Sequence, residues 1–312
     1  MHVPDGFLSL PVAAGAGAAS ATAVAVALRK CRTELDDRAE ALLGVTAAGV
    51  FAAQMVNFPV PGGASGHLLG ATLAGILLGP WGGMAALTCV LIVQCLLFAD
   101  GGLLALGANI FNMGVIGCGV GSLIWMLLRP MAKSPAMVAA AAGIAAWCST
   151  LLAAAACTFE LSWSGAFRLD RAFPLMVGVH AVIGVAEAVI TGLVVAAWLR
   201  YGRTIGVERT SWRSSPATIA LGGLALAATI VVGLAPFSSQ LPDGLHQALT
   251  LLGIADLEQQ VTWAWFAGYE IQALGPWSSA AAGLLGVGVV TAAGWLAARG
   301  RTAKADANAA RL

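Results

Sequence analysis

Eight apolar runs constrain this chain more than any other feature. They lie at about 9–28, 41–58, 67–98, 103–128, 136–157, 174–199, 217–236 and 276–298. A helix needs roughly 20 such residues to cross a bilayer. Inside hydrocarbon every backbone amide must find a partner within the protein, so runs of this kind fold as helices. Charged residues make up 10% of the 312, whereas a soluble domain carries about 25%. The expected fold is all-α, a polytopic membrane helix bundle.

The third run is too long for one span and is interrupted by Gly79-Pro80-Trp81-Gly82-Gly83. Cytoplasmic loops are enriched in Lys and Arg, so the cations decide whether this run crosses once or twice. Arg29, Lys30, Arg32 and Arg38 put the far end of the first run in the cytoplasm. Two short helices turning at Pro80 then bring Arg129, Lys133, Arg200, Arg203, Arg209 and Arg213 to the same side, together with Arg299, Arg301, Lys304 and Arg311. Nine spans result, with 14 of the 16 Lys and Arg inside and only Arg168 and Arg171 outside. The N-terminus is then outside and the C-terminus cytoplasmic. Outer segments carry Asp5, Asp100, Glu160, Asp170, Asp243, Asp256, Glu258 and Glu270.

Residues 1–200 read as a seven-span domain and 201–216 as a cytoplasmic linker ending at Pro216. Residues 217–298 read as a two-span hairpin with a long outer loop, and 299–312 as a cytoplasmic tail. No Lys or Arg precedes the first run, so the N-terminus is not read as a cleaved signal peptide. Six cysteines without a CxxC read as small packing residues. Gln54, Gln94, Trp263, Trp265 and Trp277 read as packing or interfacial anchors.

The chemistry sits at the start of the chain, in Met1-His2. A free α-amine, the deprotonated amide nitrogen of His2 and its imidazole Nδ1 can close fused five- and six-membered rings around one metal ion. Three coplanar nitrogens suit Ni²⁺ or Cu²⁺, with Co²⁺ less demanding of that geometry. A histidine at position 2 usually belongs to a frayed tail. Here the next residues run at once into Phe7-Leu8, and the chain has only four histidines. Among them His67, in the loop Pro61-Gly-Gly-Ala-Ser-Gly-His67, is the best fourth ligand, and the topology puts it on the same outer face. Asp5 could help neutralise the ion, while Asn57, Asn109 and Asn112 could orient the His67 imidazole. His180 and Glu187 lie seven residues apart on one helix face. They read as a transit path or as a structural pair, because ionisable groups within a membrane are functional candidates by default.

Three segments resemble the CbiM/NikM family: Met1-His-Val-Pro-Asp-Gly-Phe-Leu-Ser9, Asn57-Phe-Pro-Val-Pro-Gly-Gly-Ala-Ser-Gly-His-Leu-Leu-Gly70 and Asp100-Gly-Gly-Leu-Leu-Ala-Leu-Gly-Ala-Asn-Ile-Phe-Asn-Met-Gly114. His180-Ala-Val-Ile-Gly-Val-Ala-Glu187 fits as well, and the resemblance covers roughly residues 1–200. The family comprises substrate-capture (S) components of energy-coupling-factor transporters for cobalt and nickel. The resemblance implies a metal held by Met1, His2 and His67, a transmembrane coupling subunit and cytoplasmic ATPase subunits as partners, and a prokaryotic cell membrane. It implies no resident cofactor, since the ion is cargo. Ala64 departs from an expected Thr. The segment around Ser238–Leu245 resembles a small PDGLE-like domain, with His246 at the fifth position where that pattern has Glu.

A net charge of +1 gives no basis for nucleic-acid binding. The chain has no P-loop, HExxH or GxSxG, so ATP hydrolysis, zinc proteolysis and serine hydrolysis have no motif here. The alternative transport reading is an autonomous secondary metal permease, which should line its path with several acidic residues. Glu187 is the exception in spans otherwise nearly free of charge, which disfavours it. The reading is a non-enzymatic nickel or cobalt capture subunit, with a planar nitrogen set favouring nickel.

Overall fold

The computed structural model describes residues 1–35, 37–201, 215–259 and 264–299. Most of the expected linker and tail lies outside the described residues, with Arg203, Arg209, Arg213, Trp263, Arg301, Lys304 and Arg311. The chain is a helical membrane bundle. In order its helices are α1 (Leu10–Glu34), α2 (Asp37–Gln54), α3 (Ala71–Phe98), α4 (Leu106–Met131), α5 (Pro135–Trp163), α6 (Leu169–Tyr201), α7 (Pro216–Gly233), α8 (Gly244–Leu251) and α9 (Ser278–Ala298). Starts follow ordinary capping chemistry. Ser134, Ser215 and Asp243 accept from the amides of Met137, Thr218 and His246 at the heads of α5, α7 and α8.

Seven of these helices are long and apolar enough to span a membrane: all but α2 and α8. The 18 residues of α2 include Asp37, Arg38 and Glu40 in its opening turn. It packs against α3, α7 and α9, so α7 rests on the bundle through α2, while α9 also packs directly on α3.

The break in the third run is a fold-back. Gly79 takes φ 77° and ψ 167°, a conformation nearly closed to residues with a side chain, immediately before Pro80. A Cβ on Gly83 would lie 2.7 Å from the backbone nitrogen of Gly75, eight residues earlier. In a continuous helix those residues would stand about 12 Å apart. The run therefore makes two arms turning at Gly79-Pro80, but not the two full crossings that the nine-span reading of the charges called for. Its first arm starts at Ala71 rather than 67, and at eight residues it rises only about 12 Å, too short to cross the bilayer alone.

Before that arm the chain is irregular. Phe58–Val60 and Ala64–Gly66 form a small antiparallel hairpin, an addition to the all-α expectation, and Ala64, Ser65, Leu68 and Leu69 are buried. Irregular backbone among membrane helices persists only if its polar groups are paired. Glu187 on α6 accepts from the amides of Leu69 (2.6 Å) and Gly70 (2.8 Å), and Gln54 Nε2 donates to the Leu69 carbonyl at 2.9 Å. Ser65 N–H donates to the Pro242 carbonyl at 2.7 Å. Glu187 thus clamps the loop that carries His67. Leaving two buried amides unpaired costs about 1–3 kcal/mol each. Glu187→Ala should therefore lower the thermal unfolding midpoint clearly, with Glu187→Gln intermediate; an unchanged midpoint in both would contradict the clamp.

Candidate metal centre

The N-terminal segment threads into the bundle instead of fraying. Val3 is fully buried, and Asn109 on α4 grips it from both sides: Val3 N–H donates to Asn109 Oδ1 at 2.8 Å, and Asn109 Nδ2 donates to the Val3 carbonyl at 3.1 Å. Gly101, at φ 90°, lets the 99–102 loop close over this strand, since a Cβ there would come within 2.7 Å of Asn109 Nδ2 and 3.3 Å of His2 Cβ. Asp5 accepts from the amides of Leu103, Leu104 and Ala105. The segment is held at Val3 and Asp5, which fixes Met1 and His2 between them and the bundle.

Three sequence candidates converge. The Met1 α-nitrogen lies 3.4 Å from His67 Nε2, and the His2 and His67 rings stack with centroids 5.4 Å apart at 26°. The partners fix the tautomers. His67 Nδ1–H donates to the Leu68 carbonyl at 3.0 Å, which leaves the Nε2 lone pair turned toward Met1. For His2 the order comes from a relay of amides. Gln54 Nε2 donates to Leu69 O, Gln94 Nε2 donates to Gln54 Oε1 at 2.7 Å, and His2 Nε2–H donates to Gln94 Oε1 at 3.1 Å. His2 Nδ1 lies 3.1 Å from Asp100 Oδ1, a contact that holds only with a proton or a cation between nitrogen and carboxylate. A lone pair facing a carboxylate is a place that attracts a cation.

Two carboxylates bracket these nitrogens. Asp243 Oδ2 forms an ion pair with the α-ammonium at 2.7 Å, and Asp100, beside His2, also accepts from Tyr269 OH at 2.6 Å. Burial, then the adjacent α-ammonium, push the His67 imidazole down to about 4. Burial likewise lowers His2, against the opposing pull of Asp100. Burial would raise the Asp243 carboxyl, but the α-ammonium and the His246 amide outweigh it and hold it below the ordinary carboxylate range. His67 is thus a neutral donor at neutral pH, with negative charge at hand. Among the described residues no group of three or more His, Cys, Asp or Glu side chains is arranged to hold a metal.

Several sequence candidates lie elsewhere. Asp5 spends its oxygens on loop amides rather than facing the Met1, His2 and His67 nitrogens. Asn109 holds Val3, not His67. Asn112, three residues on, donates to Glu160 at 2.7 Å, and the backbone of Asn57 bonds to Ser238 and Ser239. His180 and Glu187 do not pair with each other: Glu187 clamps the loop, while His180 Nδ1 bonds to the Met176 carbonyl at 2.7 Å. His180 does line a small cavity with Met1, His67 and Asp243. Gln54 and Gln94, expected to pack or anchor, are the relay that sets the His2 tautomer. Asp100, Asp243 and Tyr269 were absent from the sequence candidates. Their signals were the Asp100-Gly-Gly and Pro242-Asp-Gly motifs; Tyr269 had none.

The chain matches the family described as "Cobalt uptake substrate-specific transmembrane region" (CbiM) over residues 2–205. It is 35% identical over 306 residues to a putative fused nickel transport protein NikMN of Archaeoglobus fulgidus, covering 96% of this chain and 98% of that one. It is 34% identical over 206 residues to the cobalt transport protein CbiM of Geobacter sulfurreducens, covering 62% and 58%. A crystal structure of a truncated transition metal transporter superposes with a TM-score of 0.60 at 36% identity, over 64% of this chain and 99% of that one. With the family matched across the bundle and the fused relative matched end to end, this chain belongs to the CbiM family of membrane proteins.

Proposed function

We propose that the chain is the metal-capture subunit of an ATP-driven importer for nickel or cobalt, with nickel favoured. The observation that carries this reading is the convergence of the Met1 nitrogen, the His2 ring and His67 Nε2 on one buried point. With Met1 retained and unblocked, the amine, the His2 amide nitrogen, His2 Nδ1 and His67 Nε2 supply four nitrogens. Such a set suits the tetragonal preference of nickel. Relatives named for nickel and for cobalt transport support the class of ion and leave both metals in it. The chain has no P-loop, so ATP hydrolysis belongs to cytoplasmic ATPase subunits acting through a transmembrane coupling subunit. In this reading the N-terminus faces outside, and the ion leaves inward past His180.

The amide and amine must give up protons to bind metal. Affinity should therefore rise steadily between pH 5 and pH 8. Burial has already moved the His67 imidazole down to about 4, so His67 adds little to that rise. Isothermal titration with Ni²⁺ at several pH values tests this, and a flat profile would contradict the nitrogen set. The metal-free protein carries the complementary sign. An imidazole depressed in the folded state binds fewer protons than in the unfolded chain, so its stability is full above about 6.5 and is lost as pH falls toward 4. His67→Asn should flatten that loss.

One residue added before Met1 converts the amine to an amide and should abolish tight nickel binding. His67→Ala should weaken it by about 10-fold or more while leaving the extracted yield unchanged. Undiminished binding by the extended chain would overturn the chelate.

A further inference from the structure

The C-terminal extension, which the metal-capture reading does not require, reaches the centre of the site. Ser239 N–H donates to the Asn57 carbonyl, Ser65 Oγ to the Leu241 carbonyl, and Gln247 Nε2 to the Gly62 carbonyl. Asp243 is thereby set against Met1. Two cavities share Asp243 in their walls. One is the small cavity of Met1, His67 and His180. The other, with a volume of about 170 Å³, is lined by His2, Asp100, Asp243, His246 and Glu258.

The second cavity has the chemistry of a cation antechamber. Its mouth carries His246, whose Nδ1 lies 3.4 Å from Glu258 Oε2, both partly exposed. Its floor carries Asp100 and the edge of His2. One water needs about 10–15 Å³ of such space, so the cavity admits a divalent ion together with waters of its hydration shell. Neither His246 nor Glu258 touches the chelating nitrogens. Resting on the metal-capture reading, we propose that this cavity receives a hydrated divalent cation and passes it, by Asp243, to the chelate. The extension is then the outer half of the entry route. Focused negative charge of this kind acts on arrival rate more than on final affinity.

The test is stopped-flow binding of Ni²⁺ to the full-length chain in detergent at low and high salt. The double variant H246Q/E258Q should slow association about 10-fold or more at low salt. Dissociation should slow in parallel, with the equilibrium constant nearly unmoved and the salt dependence reduced. E258K should slow it further, and E258Q alone carries the test should the double variant be poorly recovered. D256N removes a carboxylate from the same outer loop but outside the cavity, and should not slow association. A double variant that associates as fast as the parent, or equal slowing by D256N, would overturn the antechamber. Failure of the chelate shows differently: nickel then binds equally when a residue precedes Met1, whatever the entry variants do.

Discussion

The structure depends on burying a chain terminus. Met1 is 6% exposed, and its α-ammonium would be costly in such a place without a partner. Asp243, 242 residues away, supplies one at 2.7 Å. That contact requires the Pro242-Asp243-Gly244 turn to dock on the His67 loop, and the loop requires its own amides to be paired. The terminus, the loop and the extension therefore depend on one another at one end of the bundle. Removing any of the three leaves charges or amides of the other two exposed or unpaired.

This explains why carboxylates and amides cluster there in a chain only 10% charged. Glu187 satisfies loop amides, Asp5 satisfies those of 103–105, and Gln54 with Gln94 ties the loop carbonyl to the His2 ring. Each polar group is fixed by the next, so the two imidazoles are held with defined tautomers. Preorganisation of this kind matters for a chelate that must form without a three-side-chain metal cluster.

Much of this was legible in the sequence, for physical reasons. Run length specifies the helices and the Gly79-Pro80 break marks the fold-back, because bilayer thickness and proline geometry are local constraints; Lys and Arg placement called for a full crossing that an arm of eight residues does not make. Met1, His2 and His67 were legible because chelate rings depend on adjacent atoms and because histidine is rare in this chain. Asp243 was not, since its role arises from docking across nearly the whole chain. Glu187 was ambiguous: a carboxylate in a membrane helix can line a path or cap irregular backbone, and only the position of Leu69 and Gly70 decides. Asn109 and Asn112 face one side of α4 three residues apart, yet one meets Val3 and the other Glu160, a distinction invisible to spacing.

The central claim is that the N-terminal amine, the His2 amide, the His2 imidazole and the His67 imidazole bind one ion in a plane. Nickel K-edge X-ray absorption on the purified, nickel-loaded chain addresses it most directly. The account predicts four nitrogen neighbours in a planar arrangement, with low-spin, diamagnetic nickel. A six-coordinate, paramagnetic centre with oxygen neighbours would contradict it.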